Sequence, residues 1–164
     1  MSYQCQVCGA EHDALPEIGA ERPDQWFGIP PHERARRVRW NPDTCVIDDT
    51  DFFIRGVIRI PLKDQDQDWG LGVWVSQKRE NFQTYLDNHR SDTIGPFFGW
   101  LCTQIPYYQP STLFLKTMAH FRGGDLRPDI VVEPTDHPLA RAQKDGITLD
   151  EAWRILHFYQ NQGR

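Results

Sequence analysis

No apolar run in this 164-residue chain approaches the roughly 18 residues that a bilayer-spanning helix needs, which excludes a helical membrane protein. The leading residues are polar and include cysteines where a secretory signal would carry an apolar stretch, so the expected location is the cytoplasm. Positive charge is in deficit: 18 Lys+Arg against 23 Asp+Glu leave a net charge of -5. That balance excludes a nucleic-acid binder whose whole surface is cationic and leaves room only for a local basic stretch. Internal repeats and low-complexity tracts are missing. So are a Gly-rich phosphate loop, a Gly-x-Ser-x-Gly elbow and a His-Glu-x-x-His pair, which removes the common nucleotide-binding, esterase and metalloprotease readings.

Cysteine is scarce but patterned. Of the four, Cys5, Cys8, Cys45 and Cys102, the first two stand two residues apart with Gly9 directly after them. Without an export signal such residues read as metal ligands or buried thiols before they read as disulfides. The Cys5–Cys8 turn points two thiolates at one ion, and Gly9 is expected to permit a backbone approach that a Cβ would obstruct. A redox role would need the order strand, Cys-x-x-Cys, helix, which is absent here. A second Cys-x-x-Cys is also absent, so the remaining ligands must come singly. His12 stands close enough to turn back on the ion, and Cys45 begins the first sheet strand, where it would anchor the knuckle to the core. The expected site is therefore Cys5, Cys8, His12 and Cys45 around a structural zinc, with Cys102 or His32 as substitutes for the fourth place. Three thiolates would more than neutralise the ion and leave it a poor Lewis acid, which makes the expected role architectural.

The length suits one domain, which at this size buries roughly 70% of the surface its unfolded chain exposes. Residues 1–44 read as the knuckle followed by an irregular segment broken by Pro16, Pro23, Pro30, Pro31 and Pro42. Within it, residues 31–39 predict one short helix whose Arg34, Arg36, Arg37 and Arg39 form either a phosphate-binding patch or a solvated face.

Residues 45–134 alternate as strands do. Phe52, Ile54, Ile58 and Ile60 fall on one parity with Arg55 and Arg59 on the other, and Trp69, Leu71, Val73 and Val75 repeat the pattern beyond an acidic turn. Ser76 is expected to cap a helix running to about His89, with Phe82, Tyr85, Leu86 and His89 as its buried stripe. Further strands are expected over 97–103, 112–121 and 130–133. Residues 135–164 predict two helices: Pro138 opens one that Gly146 stops, and Thr148 with Glu151 forms a capping box for the last. Ala152, Ile155, Leu156 and Tyr159 would be its buried stripe. The expected fold is α+β, with a central antiparallel sheet, helices packed on one side and an N-terminal zinc knuckle.

Cys5-x-x-Cys8-Gly9-x-x-His12, 43–48 (Asp-Thr-Cys-Val-Ile-Asp), 52–56 (Phe-Phe-Ile-Arg-Gly), 69–76 (Trp-Gly-Leu-Gly-Val-Trp-Val-Ser), 98–101 (Phe-Gly-Trp-Leu) and 133–140 (Glu-Pro-Thr-Asp-His-Pro-Leu-Ala) together resemble the bacterial family catalogued as domain of unknown function 2199. The resemblance runs in order along nearly the whole chain. It implies a single bacterial, cytoplasmic domain and transfers no reaction.

Two other groupings bear on function. His120, Glu133, Asp136 and His137 would make an acid/base cluster of hydrolase type if the last strand returned beside 112–121, although helix capping explains Asp136 and His137 as well. Trp74, Trp100 and Phe98 form either an aromatic platform or a second core layer under the terminal helix. With no convincing catalytic set, the preferred expectation is a small zinc-stabilised protein that works by contact with a protein partner, as a regulator or an inhibitor of a toxin. A hydrolase and a weak nucleic-acid binder through Arg34–Arg39 are the alternatives.

Overall fold

The computed structural model describes residues 2–6 and 8–162; Met1, Val7, Gly163 and Arg164 of the expected single-domain span lie outside the described residues. The chain begins with a hairpin of two short strands, β1 (Tyr3–Gln4) and β2 (Glu11–His12). The proline-rich segment carries strand β3 (Ile18–Gly19), helices α1 (Asp24–Phe27) and α2 (Pro31–Arg37), and strand β4 (Val38–Trp40). Three strands then follow, β5 (Thr44–Ile47), β6 (Asp51–Pro61) and β7 (Asp68–Gln77). Helix α3 (Arg79–Asp87) leads to β8 (Phe97–Trp100), β9 (Lys116–His120) and β10 (Asp129–Val132). Helices α4 (Pro138–Asp145) and α5 (Leu149–Gln162) close the sequence.

The alternation in the two long strands does what its period predicts. β6 and β7 pair antiparallel from Phe52 opposite Gln77 to Pro61 opposite Asp68, which sets Ile54 against Val75, Ile58 against Leu71 and Ile60 against Trp69. All six side chains are buried in one core cluster. Each contributes roughly 1.5–3 kcal/mol by leaving water. The opposite parity builds a second, smaller cluster from Phe53 and Trp74 with Ile29, Cys45, Ile47 and Cys102.

The sheet is mixed rather than antiparallel. Its order is β3-β7-β6-β10-β9-β8, with β5 also paired to β6 and β4 to β5. Two of the pairings are parallel: β10 lies along β6 with Asp129 opposite Val57, and β3 lies along β7 with Ile18 opposite Leu71. Residue periodicity reports which face a side chain takes and is blind to strand direction, so the parallel contacts could not be read from it. The β6–β10 approach depends on Gly56, where a Cβ would sit 2.5 Å from the Ile130 side chain. Just past β8, Leu101 bridges back to Val75 on β7, and the Cys102 amide donates to the Trp74 carbonyl at 2.8 Å. The sheet therefore curls until its far strand meets β7 again.

Helices α3, α4 and α5 all send buried residues into the larger cluster, as expected of helices stacked on one side. The other face is not bare. The proline-rich segment covers it, with Ile29 buried there and the Trp74 indole donating to the Ala20 carbonyl at 2.9 Å. Ser76 does not cap a helix: it stays in β7, where its hydroxyl accepts from the Trp100 amide at 3.0 Å. The capping residue at the start of α5 behaves as predicted, Thr148 accepting from the Glu151 amide at 3.2 Å, and Ala152, Ile155 and Leu156 are buried beneath it.

Candidate metal centre

The loop between β1 and β2 is a tight turn whose backbone closes on itself: the Cys5 amide donates to Ala10 at 2.8 Å and the Gly9 amide to Cys5 at 2.9 Å. Gly9 has φ +75° and open space where a Cβ would be. Its glycine serves the left-handed backbone, a different reason from the close approach expected of it. The turn places the Cys8 sulfur 3.2 Å from Nε2 of His12, which sits on the returning strand.

The fourth member comes from the other end of the chain. His157 on α5 brings its Nε2 to 3.8 Å from the Cys5 sulfur. One ligand atom from each of Cys5, Cys8, His12 and His157 lies within 4.8 Å of all the others, close enough to hold a metal ion. Tetrahedral zinc with its usual bond lengths would set a sulfur and a nitrogen donor roughly 3.5 Å apart, and the two measured separations, 3.2 and 3.8 Å, fall on either side of that value. Cys5 is buried and Cys8 exposed, which puts the group at the rim of the core. Beneath it lies Trp153, one turn before His157 on α5, whose indole stacks on the His12 ring with centroids 3.9 Å apart.

Cys45 does not join this group. It stands opposite Phe53 on β6 and points with it to the smaller cluster, whereas Cys5 belongs to the larger cluster on the other face of the sheet. Burial pushes its thiol up to about 11, so it is a neutral, core-packed sulfur. Cys102 shares that cluster, and burial likewise pushes its thiol up to about 11. His32 lies exposed on α2 and is not part of the group. His157 was missed because its signal is weak: a histidine one turn after a tryptophan on an amphipathic helix looks like any boundary residue until the knuckle is seen to dock there.

The proposed acid/base cluster is dispersed. In the β9–β10 register His120 stands opposite Asp129, whereas Glu133 donates its amide to the Lys116 carbonyl at the other end of the hairpin. Four residues of strand separate the two positions, about 13 Å. His137 caps α4, its Nδ1 accepting from Leu139 at 3.0 Å and its Nε2 bonding the Pro110 carbonyl at 2.8 Å, and Asp136 pairs with Arg141. Among the described residues no hydrogen bond joins any two of the four.

The basic stretch is likewise occupied. Helix α2 ends at Arg37, and Arg39 lies on β4. Arg34 stacks on Trp26 with its guanidinium carbon 3.7 Å from the ring centre, Arg36 pairs with Glu33, Arg37 with Asp48 at 2.7 Å, and Arg39 with Asp49. Carboxylates already hold three of the four arginines, as on a solvated face. Of the three aromatic residues, Trp74 is fully buried on the face away from the terminal helix, while Phe98 and Trp100 are exposed and meet edge to face, centroids 5.1 Å apart.

The sequence pattern of the family of uncharacterized proteins conserved in bacteria, domain of unknown function 2199, matches residues 4–147, and the chain belongs to that family. The matched span includes Cys5, Cys8 and His12 and stops short of His157. No curated protein and no solved structure matches the chain. Among the described residues no helix is long and apolar enough to cross a membrane.

Proposed function

We propose that the chain is a zinc-stabilised binding domain in which Cys5, Cys8, His12 and His157 hold one structural zinc ion. The observation that carries this reading is the convergence of four good zinc ligands, from the two ends of the sequence, within 4.8 Å of one another. Two thiolates cancel the charge of the dication and two neutral imidazoles complete a closed tetrahedron, leaving no position for a reacting water. The ion then clamps the N-terminal hairpin to α5, and its task is architectural. Elemental analysis of untagged protein should find one zinc per chain, and cobalt substitution should give the visible bands of a tetrahedral thiolate site. A metal-free preparation that neither binds zinc on titration nor changes in stability would overturn the reading.

The working surface is then a contact surface for a protein partner. Phe98, Trp100 and Phe114 are large, exposed and near the strand end at Ser76 and Gln77, where they border adjoining grooves. Exposed aromatic side chains of this kind are enriched at protein interfaces. Capture of a partner from native lysate that Trp100→Glu abolishes would support this, and capture indifferent to that change would remove the surface from consideration.

A further inference from the structure

A separate cavity of about 540 Å³ opens where four elements converge: Lys63 just past β6, the 106–110 loop, α4 and the first turn of α5. Its size is that of small-molecule pockets, roughly 300–1,000 Å³. Charge of both signs lines it, Lys63 and Arg141 on one account and Asp145 and Glu151 on the other, together with Tyr107 and Tyr108. Arg141 and Asp145 are one turn apart on α4 and both reach the same opening.

Tyr108 distinguishes this cavity from an ordinary surface dent. Its side chain is only 3% exposed, yet its hydroxyl has no hydrogen-bond partner among the described residues. Leaving a buried hydroxyl unpaired costs about 1–3 kcal/mol, so such a group marks a place where something else supplies the bond. After burial, the charge of Glu151 is the next cause holding both phenols above the ordinary tyrosine range, which keeps them protonated donors beside a carboxylate.

We propose that this cavity binds a small zwitterion of amino-acid or dipeptide type, its carboxylate received by Arg141 and Lys63, its ammonium by Glu151 and Asp145, and an acceptor atom by the Tyr108 hydroxyl. A ligand with one charge alone would engage one pair of side chains and be repelled by the other, which selects against simple anions and simple amines. The carboxylate of the zwitterion takes over the Arg141 guanidinium from exposed Asp136. The site is independent of the metal.

The test is a titration of the full chain, followed by amide chemical shifts, with glycylglycine, L-glutamate and L-lysine, and with acetate, inorganic phosphate and methylammonium as single-charge probes. Saturable shifts confined to the neighbourhood of Tyr108, Gly146 and Ile147, with a dissociation constant of about 1 mM or tighter for at least one zwitterion and at least tenfold weaker binding of the single-charge probes, are expected. Absence of saturable binding to every zwitterion, or equal binding of acetate or phosphate, would overturn the proposal. Glu151→Gln should weaken the zwitterion at least tenfold without altering the fold. Tyr108→Phe should leave the ligand-free protein as stable as before while weakening the ligand; a loss of stability in the ligand-free variant would mean that the hydroxyl is already satisfied, and the assignment fails.

Discussion

The imidazole of His12 lies flat on the indole of Trp153, ring centroids 3.9 Å and planes 17° apart. Trp153 is itself 3% exposed and belongs to the main core. The stack therefore transmits the rigidity of the core to a ligand on an otherwise light two-stranded hairpin, and His157, one turn further along the same helix, closes the group. A ligand held by packing before the ion arrives loses less freedom on binding, the usual benefit of a supporting shell.

Trp153→Leu should keep the helix but remove that support. The expected result is a zinc affinity lower by roughly 10–100-fold, as for other residues that orient ligands, together with a loss of about 1–3 kcal/mol from the smaller core side chain, less than full truncation to alanine would cost. Competition against a chromophoric chelator measures the first and urea denaturation of the zinc-loaded protein the second. Unchanged affinity would show that the stack does not position His12.

Replacing His157 and replacing Cys45 separate the two candidates for the fourth ligand. His157→Ala should release zinc and expose residues 2–22 to limited proteolysis while β6 and β7 stay protected, because their pairing and core do not involve the ion. Cys45→Ser should retain zinc at one per chain and cost about 1–3 kcal/mol, since it buries a hydroxyl among Phe53, Trp74 and Ile47. The reverse pattern would restore Cys45 to the site.

How much of this was legible beforehand follows from what local pattern can encode. The pairing faces of β6 and β7, the cap at Thr148 and the stripe of α5 all depend on residues within a few positions of one another, and they were readable. The parallel placements of β3 and β10, and the return of Leu101 to β7, are long-range contacts that periodicity does not specify. The metal group divides the same way. Cys5, Cys8 and His12 are one local turn, while the choice between Cys45 and His157 turned on which face of the sheet the knuckle covers. The expectation of Cys45 rests on its place at the start of the first long strand, whereas the fold packs its sulfur with Phe53 and Trp74, in a different cluster from Cys5.

Raising the pH should destabilise the protein through its buried thiols. Burial pushes Cys45 and Cys102 each up to about 11, against an unfolded thiol near 8.5, so between those values the native chain keeps protons that the unfolded chain has released. Stability is then fully present below about pH 8.5 and falls as pH rises toward 11, by on the order of 2–3 kcal/mol per thiol. Buried Tyr108 and partly buried Tyr159 act in the same direction at higher pH. Urea midpoints measured from pH 7.5 to 10.5 should show the fall, and Cys102→Ala should flatten it even though the variant starts from a lower value.

Gly56→Ala tests the packing of the parallel contact. The glycine sits in the middle of β6 opposite Val73, and an added methyl would meet Ile130 at 2.5 Å and the Pro128 carbonyl at 2.8 Å. Pro128 also accepts the Val57 amide at 3.0 Å, so the chain entering β10 cannot move away without losing that bond. An intrusion on a tightly held backbone costs about 1–3 kcal/mol or more, although alanine in place of glycine would favour a strand elsewhere. Loss of stability on that scale, with amide exchange quickened in β10 before β7, is the expected result. Pairing the change with Ile130→Val, which removes the Cδ1 methyl, one of the two clashing carbons, should return part of the loss; if the double variant is no more stable than Gly56→Ala alone, the close approach of β10 to β6 is not what demands a glycine here.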